Sequence, residues 1–187
     1  MIRAAIRGRY VPPAVSLCAV VLLLPSVHAW FYAGGMRWLY VLLVSCLAAF
    51  GLTPLIRELA CRIGAVDQPS SRKIHQSATP LLGGVAVYCA FLIALLANAA
   101  GMVDPLIVTE GMQGVLIGGT LLFLVGIWDD IREVPASWKL LVQIAASGIV
   151  IWSGKLLTFF PHGVAGDMLN TFLTVLWIVG ITNAFNF

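Results

Sequence analysis

The chain reads as an all-α, polytopic membrane helix bundle with about six spans, and three features lead there. Sixty per cent of its 187 residues are hydrophobic and ten per cent are charged. The mean hydropathy is +0.98. The apolar residues form continuous runs of about 20, the length a helix needs to cross roughly 30 Å of hydrocarbon. The runs do not alternate as barrel strands would. A soluble domain of this size cannot hide so much apolar surface, so the bilayer is part of its solvent.

Taken in order, the runs predict helices near 12–33, 38–60, 81–100, 111–128 and 138–156, with a sixth over 169–187. The first admits a second reading. Arg3, Arg7 and Arg9 followed by an apolar 14–27 resemble a signal peptide, although Val27-His28-Ala29 is a poor small-residue cleavage site. The four cysteines, Cys18, Cys46, Cys61 and Cys89, have no paired spacing and mostly lie inside apolar runs, where thiols behave as small hydrophobes.

The net charge of +3 matters less than its distribution. Arg3, Arg7 and Arg9 precede the first run; Arg57, Arg62, Arg72 and Lys73 follow the second; Arg132 and Lys139 follow the fourth. The alternate loops hold Arg37 and Lys155 beside Asp104, Glu110 and Asp167. The positive-inside rule therefore places the N-terminus in the cytoplasm and the 101–110 and 157–167 loops outside. On that orientation the 61–80 loop, the 129–137 loop and the end of the chain share the cytoplasmic face.

Each of these three places carries a polar cluster. Asp129 and Asp130 stand where 111–128 ends. A carboxylate costs about 2.5–3.5 kcal/mol at a bilayer centre, so the pair belongs at the interface or in a wet cavity. Adjacent carboxylates repel, and magnesium or a cationic neighbour relieves that; the competing reading is a polar helix end. Lys139 either snorkels to the interface or clamps a diphosphate. Arg72, Lys73 and His75, among Pro69, Ser70, Ser71 and Pro80, form either an anion site or a basic loop that sets topology. Gly83 and Gly84 permit close approach by a ligand or by another helix. Asn183 and Asn186, spaced i, i+3, share one helix face and need partners there.

In combination and in this order, these clusters resemble the polyprenyl-phosphate N-acetylhexosamine-1-phosphate transferases, the glycosyltransferase family 4. The matching stretches are Gly64–Pro69, Arg72–Gln76 with Thr79–Gly84, Gly126–Asp130 with Lys139 and Gln143, and Asn183-Ala184-Phe185-Asn186-Phe187. Val-Asp-x-Pro followed by Arg-Lys-x-His is nearer to the O-antigen and teichoic-acid initiators than to the peptidoglycan branch.

The resemblance implies an α-helical membrane enzyme of a bacterial inner membrane with a cytoplasmic active face. It implies transfer of a sugar-1-phosphate from a UDP-sugar to polyprenyl (undecaprenyl) phosphate, with release of UMP and with Mg2+, or Mn2+ in its place. By position, Asp129, Asp130 and Lys73 become the catalytic candidates. Lys139, His75, Arg72 and Asn183 become substrate-binding candidates, and Asn186 and Asp129 metal candidates. A homodimer is compatible with it, and nucleic acid is not an expected partner.

The family continues past the asparagine motif with Asp-Gly-x-Asp-Gly, a further aspartate and a His-rich loop. Residues 1–35 are expected to be an N-terminal extension, and 36–187 the first part of the transferase membrane domain, broken off within the Asn-Ala-Phe-Asn-Phe motif and inactive by itself. The alternative of another class is a non-catalytic membrane scaffold or regulatory module, which has no reason to bind UDP-sugar or UMP. A transporter fits less well, because carriers usually place polar groups near the midplane.

Overall fold

Proline sets the first departure from a simple string of spans. The computed structural model of the protein describes residues 12–67, 79–100 and 111–184. The expected 12–33 span is two helices, α1 (Pro13–Leu22) and α2 (Pro25–Ala33), bent by 69° at the break between them. Pro25 has no N–H to continue α1, and Leu24 before it is extended at φ −67°, ψ 133°. The long α3 (Arg37–Ile63) ends at Gly64, which is left-handed at φ +78°. There Ala65 N–H donates to Ala60 O at 2.9 Å, closing the last turn in a Schellman arrangement.

Two short strands follow, β1 (Val66–Asp67) and β2 (Thr79–Pro80), paired antiparallel with Val66 opposite Pro80 and Asp67 opposite Thr79. Leu81 N–H extends the tie to Ala65 O at 2.9 Å. α4 (Gly83–Ala100) then returns along α3. Its Ala86, Ala90 and Ala94 repeat every fourth residue and are almost fully buried, a small-residue stripe that lets the backbones approach. Ala94 joins Phe31, Tyr40 and Val44 in the core of this part.

The chain divides into two compact units, Met1–Asp104 and Pro105–Phe187. The second is built from α5 (Met112–Ile131), α6 (Ala136–Trp152) and α7 (Val164–Ala184), with α6 packed against both others. Gly114 and Gly118 of α5 are buried against α6. A Cβ on Gly118 would meet Ala146 O at 3.1 Å, and one on Gly114 would overlap the Ser153 side chain. This Gly-x-x-x-Gly therefore sets a close α5–α6 approach. Past α6, the 157–160 strap is pinned to α7: Phe159 and Phe160 N–H both donate to Asn170 Oδ1 at 3.0 Å, and Leu157 N–H donates to Thr174 Oγ1 at 3.0 Å.

The all-α membrane architecture is as expected, and the span count needs correction. Among the described residues three helices, α3, α5 and α7, are long and apolar enough to cross a bilayer, or four if the bent α1–α2 pair counts as one span. α4 and α6 are shorter apolar helices. The 17 residues of α6 rise about 26 Å, less than the roughly 30 Å of a typical hydrocarbon core. The exposed large apolar side chains, such as Trp152, Phe159, Leu96 and Phe172, make the protein a multi-pass membrane protein.

Candidate active site

The helix α5 outlasts its apolar run, which stops at Trp128. The helix continues to Ile131, so Asp129 and Asp130 occupy its final turn and not the loop beyond it. A helix C-terminus is a poor place for negative charge, and the local fold answers this with two donors. Lys139 Nζ lies 2.6 Å from Asp129 Oδ2, and Val134 N–H donates to Asp129 Oδ1 at 3.0 Å. The side chains of Lys139 and Asp129 are only 26% and 20% exposed, so the pair is better shielded than a surface ion pair. The short 132–135 connection makes this possible: Arg132 leaves the helix extended, and Pro135 caps α6, bringing Lys139 into its first turns.

Gln143 stands one turn beyond Lys139, about 6 Å further along α6. It forms a reciprocal amide pair with Asn183 of α7. Asn183 Nδ2 donates to Gln143 Oε1 at 2.9 Å, and Gln143 Nε2 donates to Asn183 Oδ1 at 3.3 Å. Asn183 Nδ2 also donates to its own helix at Val179 O, 2.9 Å, and Ser147 Oγ donates to Gln143 O at 2.8 Å. Gln143 and Ser147 are buried. Lys139, Gln143 and Ser147 thus form an i, i+4, i+8 polar line on α6, which takes α5's end on one residue and α7's end on the next.

Four of the expected site residues fall on described positions: Asp129, Asp130, Lys139 and Asn183. Asp129 and Lys139 touch each other, and Asn183 joins the same helix one turn away. Arg72, Lys73, His75 and Asn186 lie outside the described residues; the β1–β2 ladder is what joins the two ends of the segment holding the first three. Two features escaped the sequence reading. Gln143 was seen as part of a motif but not as the partner of Asn183, and the backbone N–H of Val134 carries no side-chain signal. The four-residue spacing of Lys139, Gln143 and Ser147 held the first of these.

Consecutive helical residues point about 100° apart, so the two aspartates do not present their carboxylates in one direction. Among the described residues no three His, Cys, Asp or Glu side chains gather as a metal-holding group. Magnesium asks for less: it takes one or two carboxylates and completes its shell with water and substrate phosphates. The helix end fits that demand. Chemically, a part-buried ion pair beside an amide pair offers one cation, two carboxylates and directional neutral donors.

Residues 112–187 match the family described as Glycosyl transferase family 4. The chain is 34% identical over 157 residues to a probable undecaprenyl-phosphate N-acetylglucosaminyl 1-phosphate transferase of Bacillus subtilis, covering 81% of this chain and 42% of that protein. It is 29% identical over 154 residues to a decaprenyl-phosphate N-acetylglucosaminephosphotransferase of Mycolicibacterium smegmatis (78% and 38%). It is 28% identical over 138 residues to an undecaprenyl-phosphate alpha-N-acetylglucosaminyl 1-phosphate transferase of Thermotoga maritima (74% and 41%). The chain spans about two-fifths of the length of these relatives. No solved structure matches it. Asp129, Asp130, Lys139 and Asn183 all lie inside the segment that matches glycosyl transferase family 4, and over about four-fifths of its length the chain is similar to a transferase named for undecaprenyl phosphate and N-acetylglucosamine 1-phosphate.

Proposed function

We propose that the protein carrying this chain transfers N-acetylglucosamine-1-phosphate from UDP-N-acetylglucosamine to polyprenyl phosphate, releasing UMP, at the cytoplasmic face of a bacterial inner membrane. The observation that carries the reading is the Asp129–Lys139 pair one helical turn from the Gln143–Asn183 pair, inside the family segment. The charge asymmetry of the loops supports the orientation.

The reaction has an anionic nucleophile and a diphosphate electrophile. An oxygen of the lipid phosphate attacks the phosphorus that bears the sugar. The bond from that phosphorus to the bridging oxygen breaks, and UMP leaves with the electron pair. Little covalent chemistry falls to the protein, so alignment and charge compensation lower the barrier. Lys139, released from Asp129, supplies positive charge to the diphosphate. Asp129 and Asp130 organise the lipid phosphate and the metal. Asn183, oriented by Gln143, shapes the nucleotide pocket. Lys73 is assigned to phosphate contact, Arg72 and His75 to the same loop, and Asn186 to the metal. Members of the family generally use a divalent metal; Asp129 and Asn186 would hold Mg2+, which would supply positive charge to the diphosphate.

The test uses membranes containing the full-length protein, UDP-N-acetylglucosamine and undecaprenyl phosphate. Asp129→Asn is expected to lower UMP release by at least about 100-fold, the size of losing one electrostatic group from such a site, with membrane insertion unchanged. Wild-type rates in both Asp129→Asn and Asp130→Asn overturn the assignment.

A further inference from the structure

The far end of α3 from the β1–β2 ladder holds a second polar cluster that the transferase reading does not use. Tyr32 hydroxyl donates to the Asn98 side-chain carbonyl and, at 3.3 Å, to Asn98 O. Arg37 Nε donates to Asn98 Oδ1 at 2.8 Å, and the Arg37 guanidinium lies 5.8 Å from the centre of the Tyr32 ring. His28 stacks on Tyr32 at 3.9 Å, fixing that ring from behind. Asn98 is buried, at 7% exposure, while Arg37 is exposed. With its carbonyl accepting twice, Asn98 keeps its NH2 group, and Arg37 keeps its terminal nitrogens, without a partner among the described residues.

This cluster closes one end of a groove of about 810 Å³ between α3 and α4, lined by Arg37, Trp38, Val41, Ser45, Phe91 and Asn98 among others. Among the described residues that line it, Arg37 carries the one charge. The α3 side runs from Arg37 to Ala49, about 18 Å of helix, close to half of the roughly 30 Å hydrocarbon thickness. The exposed Trp30 and Trp38 lie at the same end, with Tyr32 beside them, the composition of a membrane-interface belt. An apolar channel one leaflet deep thus ends at headgroup level in an uncompensated guanidinium and an unused amide.

We propose that this groove is a phospholipid site: one acyl chain lies between α3 and α4, and the headgroup phosphate of an anionic glycerophospholipid is held by Arg37 and Asn98. Charge complementarity selects the occupant. A packed helix would cover the apolar wall and leave the guanidinium without an anion, whereas a lipid phosphate accepts its paired N–H donors directly. The site lies about 40 Å along α3 from Ile63, the length of its 27 residues, at the opposite end of that helix from the β1–β2 ladder. It therefore goes beyond the transferase reading and does not rest on it.

The test places the full-length protein in nanodiscs of mixed phosphatidylcholine and phosphatidylglycerol, with native mass spectrometry reading the lipid that stays bound. Phosphatidylglycerol is expected to be retained in preference, and Arg37→Ala to reduce that retention about tenfold. A photo-crosslinking residue at Phe91, with Arg37 intact, is expected to label an acyl chain, which guards against misfolding of the arginine variant. Crosslinks to polypeptide, whether this chain or a second copy, overturn the proposal. So do unchanged retention in Arg37→Ala and displacement of the lipid by undecaprenyl phosphate.

Discussion

Lys139 and Arg37 each sit in the first turns of a helix, and their partners differ in charge. Lys139 meets the carboxylate of Asp129 at 2.6 Å, so its charge is compensated within its own unit. Arg37 meets the neutral carbonyl of Asn98 at 2.8 Å and lies over a Tyr32 ring, so its charge is oriented but not cancelled. The difference separates two tasks. A compensated cation costs little to hold half-buried and comes into play when a competing phosphate displaces its partner. An uncompensated cation at headgroup level is a standing attraction for an anion that is always present.

The comparison breaks first at the Lys139 end. Replacing Lys139 with Ala leaves the Asp129 carboxylate with only the Val134 N–H, and UMP release is expected to fall at least about 100-fold. A charge-conserving Lys139→Arg that keeps full activity would show that any cation suffices, which sharpens the view of a simple electrostatic clamp. Next in size is the helix contact that holds the pair in place. Gly118→Leu forces a side chain against Ala146 O and is expected to destabilise α5–α6 by about 1–3 kcal/mol, read as a lower thermal midpoint in detergent. Gly148→Leu, where a Cβ meets nothing within 4 Å, is the matched control and should leave the midpoint in place.

A smaller effect is expected at the amide pair. Gln143→Leu or Asn183→Leu leaves the other amide without its cross-helix partner and should cost about 1–2 kcal/mol, with the double variant costing less than the sum of the two singles. Strict additivity in that cycle would show that the two amides do not support each other. The smallest expected effect is at the strap. Asn170→Ala removes an acceptor shared by Phe159 and Phe160 and should speed hydrogen exchange at those two amides, with UMP release unchanged.

Much of the fold was legible because apolar runs set helices and charge asymmetry sets ends. The runs do not tell a helix from a broken helix by hydropathy alone. The kink at Leu24 follows from Pro25, yet Pro54 sits inside α3 without ending it. The position of Asp129 within the helix was hidden for a related reason: hydropathy stops at Trp128, whereas backbone hydrogen bonding runs on through Ile131 to the Arg132 N–H, which donates to Trp128 O at 2.7 Å. Motif order pointed to Lys139 and Gln143 as members of one group. It could not give the pairings, which depend on how α5 and α7 pack on α6. The buried Asn98 drew no notice in the sequence, since a single amide in an apolar run carries no pattern until Tyr32 and Arg37 are beside it.

The central claim is that the gathered ends of α5, α6 and α7 bind the nucleotide sugar through Lys139. It is tested most directly by titrating UDP-N-acetylglucosamine into the full-length protein with and without Mg2+, comparing Lys139→Ala with Lys155→Ala at the other end of α6. Mg2+-dependent binding is expected, weakened at least about tenfold in Lys139→Ala and unchanged in Lys155→Ala. Equal binding by both variants would contradict it.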